Sequence, residues 1–86
     1  MVSQYDLAEE MFITKFLDFG DDVETTKANL AKCEDLLLEF RPKLKNLAEE
    51  MEDGLAFDES SAILTIQIVA IAQRLKARFM EQLNAA

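Results

Sequence analysis

One heptad register runs unbroken through the middle of this chain. Val23, Leu30, Leu37, Leu44 and Met51 fall at a, with Thr26, Cys33, Phe40 and Leu47 at d. Four heptads in one register commit the segment to a helix with a single apolar seam, a period no β-strand can use. The register passes through Pro42, whose ring removes the hydrogen bond to the Leu38 carbonyl. No Gly, Asn, Asp or Ser flanks Pro42 to make a turn, so the spacing predicts one long helix over residues 22–52, kinked at Pro42. Asp21 or Asp22 is its N-cap, and Glu24 suits the positive end of the helix dipole.

The flanking segments are helical too, because two glycines and one proline in 86 residues leave little material for loops or hairpins. Leu7, Ala8, Met11, Phe12, Phe16 and Leu17 recur at helical spacing and predict a first helix over residues 4–19. Ser3 and Asp6 have capping-box spacing, and Gly20 stands where helices commonly end in the left-handed conformation. Asp53-Gly54 marks a turn, and Asp58, Ser60 and Ser61 offer caps for a third helix over residues 58–84. Its main stripe is Leu64, Ile68, Ile71, Leu75, Phe79 and Leu83. A second stripe holds Ile63, Ile66, Ala70 and Ala77, so residues 62–72 are apolar nearly all round and call for enclosure. Arg74, Lys76 and Arg78 are expected in water. The expected fold is all-α: a single domain over residues 1–86, built as a three-helix antiparallel bundle.

The three lengths do not match. At about 1.5 Å per residue, the helices span roughly 25, 45 and 40 Å. The first can cover only the early half of the second and meet only the late half of the third. The other end is then a two-helix hairpin, and its third-helix segment is the most apolar in the chain. Covering such side chains is worth several kcal/mol at about 25 cal/mol per Å². Leu44, Leu47, Met51, Leu55, Phe57, Ile63, Ile66, Val69 and Ala70 are therefore the expected partner interface, in a homodimer or a hetero-complex.

Seventeen acids against nine bases give a formal net charge of −8. That balance repels nucleic acid and anionic lipid and favours cationic protein surfaces. Glu49, Glu50 and Glu52 end a helix, where negative charge opposes the dipole, and with Asp53 they form an acidic tip. One reading is a solvated tip eased by a Lys45–Glu49 pair; the other is a docking point for Lys or Arg of a partner. Glu39–Lys43 is the expected partner-free pairing of the short basic run Arg41, Lys43, Lys45.

Catalytic chemistry is poorly provided for. The absence of histidine removes the commonest general base and zinc ligand, and two glycines cannot build a phosphate loop. Around Gly54, Met51 and Ser60 would stand at ligand positions of a calcium loop, and the match fails. Glu9 and Glu10 diverge by about 100° on a helix and read as solvated face rather than a paired-carboxylate site. Cys33, alone, forms no intrachain disulfide and reads as a small buried hydrophobe. The N-terminal residues carry acids where a signal peptide carries bases, and the longest apolar stretch is about half of the ~20 residues that span a membrane. The expectation is a cytoplasmic, non-enzymatic protein with no cofactor, no metal, no nucleic acid and no membrane partner. It acts as a protein–protein interaction module through apolar helix faces, or alternatively as an acidic inhibitor that mimics nucleic acid on a basic surface.

Overall fold

The computed structural model describes residues 4–54 and 58–85, with side chains from residue 7 onward. Three helices account for nearly all of it: α1, Gln4–Phe16; α2, Val23–Glu52; and α3, Glu59–Ala85. The Ser3–Asp6 cap lies outside these residues. Asp22 caps α2 as expected, accepting from the Thr25 amide at 3.2 Å and the Thr25 hydroxyl at 2.6 Å. Asp58 caps the start of α3, taking the Ser60 amide at 3.0 Å and the Ser61 hydroxyl at 3.1 Å. Gly54 closes α2 with φ +70°, a conformation a side chain would strain. α2 continues as helix through Pro42.

The expected seam is buried in its middle and fades at both ends. Thr26, Cys33 and Leu37 are buried, Leu30, Phe40, Leu44 and Leu47 half-buried, and Val23 and Met51 exposed. They face Ala62, Thr65, Ile68, Val69, Ala72 and Leu75 of α3, so α2 and α3 form the principal pair. The buried threonines do not leave orphaned hydroxyls. Thr26 donates to the Asp22 carbonyl at 2.9 Å, and Thr65 donates to the Ser61 carbonyl at 2.8 Å.

Leu64 and the end of α1 differ from expectation. The spacing puts Leu64 in the main apolar stripe of α3, yet it is 57 % exposed, because the face of α3 turned to α2 carries Ala62, Thr65 and Val69 instead. α1 also ends three residues early, at Phe16, leaving Phe19 80 % exposed in the loop. The cause is Asn29 of α2. Its amide accepts the Asp18 N–H at 2.9 Å and donates to the Asp18 carbonyl at 3.0 Å, giving those groups partners outside the helix.

α1 packs chiefly on α3, and not on the late half alone as its length suggested. Glu9 reaches Arg74 and Arg78, whereas Leu7 and Met11 border Leu64 and Ile68. Residues two apart on α1 thus meet points some ten residues apart on α3, which requires α1 to lie obliquely across it. The overall dimensions, 48 × 31 × 18 Å, agree: a closed triangular bundle of aligned helices at about 8–10 Å spacing would be narrower and more nearly equal across its axis.

Candidate interaction surface

The α2–α3 hairpin end divides into covered and uncovered residues. Leu44, Leu47 and Ala70 are half-buried, while Ile63 (56 %), Ile66 (52 %) and Met51 (63 %) are exposed. Val69, expected at the same surface, is instead enclosed between the helices at 5 % exposure. It points to the side of α3 that faces α2, one residue round from the outward Ala70. Leu55 and Phe57 lie outside the described residues. Ile63, Ile66 and Ala70 follow the i, i+3, i+7 spacing of one helix face, and that face is directed away from α2.

A second apolar surface was not foreseen from the sequence. Because α1 crosses α3 obliquely, a groove of about 540 Å³ opens between them. Phe12, Ile68 and Ile71 are its buried floor, and Leu7, Met11 and Leu64 are its exposed rim. Phe12 and Phe16 pack at 5.1 Å between ring centroids, tilted by 51°, and Lys15 lies 5.5 Å over the Phe16 ring.

The groove keeps its shape because α1 is fastened at two places. Glu9, read from sequence as solvated, is buried at 8 % exposure, with its carboxylate paired to both Arg74 and Arg78. The Arg78 Nη1 to Glu9 Oε1 distance is 3.0 Å. The signal was present: Glu9 is three residues from Phe12 and four from Ile13 on the inward face, and Arg74 and Arg78 are i, i+4 neighbours. At the other end the Asn29–Asp18 clamp is reinforced by Lys32 on the Asp18 carboxylate at 2.9 Å.

The acidic tip stands in solvent. Glu49, Glu52 and Asp53 are exposed and Glu50 half-buried. The Glu39–Lys43 pair forms at 4.0 Å, but among the described residues the expected Lys45–Glu49 pair does not. Cys33 is fully buried, and desolvation, with a smaller push from the Glu34 charge, raises its thiol to about 11. Among the described residues no group of three or more Cys, Asp or Glu is gathered as a metal site would need, and no helix is long and apolar enough to cross a membrane. Comparisons with protein families, with curated proteins and with solved structures return no match to this chain.

Proposed function

We propose that this chain is a non-catalytic protein-interaction module that associates through apolar helix faces. The observation that carries the reading is the exposure of Ile63 and Ile66 on the face of α3 that α1 and α2 leave open, and of Met51 at the end of α2. Covering each is worth about 2 kcal/mol, and together they can offset much of the entropy of association. The partner is a second copy or helices of another protein. A bend at Pro42 would set the angle at which the hairpin end meets it. A lone buried thiol makes no demand for an oxidising compartment, which fits a cytoplasmic setting.

The exposed acids Glu49, Glu52 and Asp53 favour a second reading, in which the tip occupies a basic surface on a partner by charge mimicry. Capture of partners at low salt and at about 1 M salt separates the two, since screening removes contacts between exposed charges. An apolar interface survives high salt and is lost in Ile66→Glu. A complex that dissolves in salt and ignores Ile66→Glu refutes the leading reading, and so does the absence of any complex.

A further inference from the structure

We infer that the α1–α3 groove is a self-association surface, against which a second copy of this chain packs its own α1–α3 face about a two-fold axis. The inference rests on reading the chain as an interaction module, and adds a second copy as a partner on a face separate from the hairpin end.

Charge points to a second copy. In a chain of net charge −8, the charged residues lining the groove, among those described, are Glu10 and Lys15, one of each sign. A groove built for a cationic helix would be rimmed with acids. A two-fold interface must instead be complementary to itself, and one acid with one base on the same short helix meets that condition. Across the axis each Glu10 faces Lys15 of the second copy.

Area is compatible with it. Leu7, Met11 and Leu64 are 53 %, 65 % and 57 % exposed. With Glu10, Thr14, Lys15 and Gln67 these residues expose at most on the order of 700 Å² per copy, and the concave lining is a fraction of it, so the contact falls at the small end against the ~800 Å² per partner of a standard interface. Unbranched Met11 can adjust its shape to the second copy. A small-molecule occupant is disfavoured because every polar lining residue sits on the exposed rim, leaving none inside to orient a ligand.

Sedimentation equilibrium of the full chain tests this over roughly 1 to 300 µM, with circular dichroism confirming that each variant stays helical. The wild type is expected to form a dimer. Met11→Glu changes a side chain outside the monomer's core and should raise the dimer dissociation constant on the order of 100-fold, because each copy then brings an unpaired carboxylate to the interface. Glu10→Lys should raise it about tenfold, and the double change Glu10→Lys, Lys15→Glu should return it to within about threefold of wild type. Ile66→Glu should leave it unchanged. A monomer throughout the range overturns the second-copy proposal while leaving the module reading to its own capture experiment. A dimer indifferent to Met11→Glu but lost in Ile66→Glu overturns the groove and moves the interface to the hairpin end. Failure of the double change to restore Glu10→Lys overturns the two-fold arrangement.

Discussion

Glutamine at position 9 keeps the length of the side chain and removes its charge. Glu9 is buried between Arg74 and Arg78, and this contact joins α1 to α3 across 65 residues of sequence. A hydrogen bond to a charged group is worth about 1.5–3 kcal/mol, and Glu9 accepts one from Arg74 and forms an ion pair with Arg78. Both arginine side chains, however, remain 44 % and 46 % exposed, so water recovers much of what they lose. Glutamine also retains one acceptor oxygen. The net cost of Glu9→Gln should be about 2 kcal/mol, or some 8–16 °C in melting temperature for a domain this small. Thermal and urea unfolding followed by circular dichroism measure it, with Glu81→Gln, an exposed site on α3, as the control expected to change little. A cycle with Arg78→Met should give a coupling of on the order of 1 kcal/mol. If Glu9→Gln falls within about 0.5 kcal/mol of wild type, the range of ordinary surface changes, the pair does not fasten α1.

Leu75 is 1 % exposed in the centre of the core, and Leu75→Ala should cost about 3 kcal/mol through the cavity it leaves; a loss below about 1 kcal/mol would mean the core collapses around it. The hydrogen bonds from Thr25 hold the Asp22 carboxyl below its usual value of 3.8, so its contribution is present above that value and is lost as the pH falls through the lower folded-state value. Carboxyl-carbon NMR should show Asp22 titrating below 3.8 in the wild type and moving back toward it in Thr25→Val. Cys33, raised to about 11, favours the folded state while the thiol is neutral, and this contribution declines as the pH rises from about 9 through 11. At pH 8 native labelling of Cys33 should be limited by opening of the fold, and complete labelling within seconds without denaturant would refute that burial.

The helix boundaries that were legible in the sequence are those written in local chemistry. Asp22 with Thr25, Asp53-Gly54 and Asp58 with Ser60 each stop or start a helix through side chains within a few residues, and α2 and α3 begin and end within a residue of expectation. The end of α1 differs from the spacing's prediction because Asn29 holds Asp18 from eleven residues away, which no local pattern reveals. Hydropathy also misplaced Leu64: the α2-facing side of α3 is marked by small or half-polar Ala62 and Thr65, whose value lies in close approach rather than in apolar area. Glu9 was missed for a related reason. Its charge argued for water, while its position on the inward stripe and the spacing of two arginines on another helix argued for a buried pair. The oblique crossing of α1, and with it the groove, depends on these long-range contacts.

The clamp on Asp18 bears on the order in which the molecule assembles. Its partners are only eleven residues apart, so the α1–α2 turn can close as soon as the first turns of α2 exist. The Glu9 contacts must wait for α3. From then on α1 is held beside the hairpin by a short, fixed bend, and its docking is an intramolecular closure rather than a search. In that order the α1–α3 contacts, last to form, are the first expected to open, with α1 lifting away while α2 and α3 stay paired.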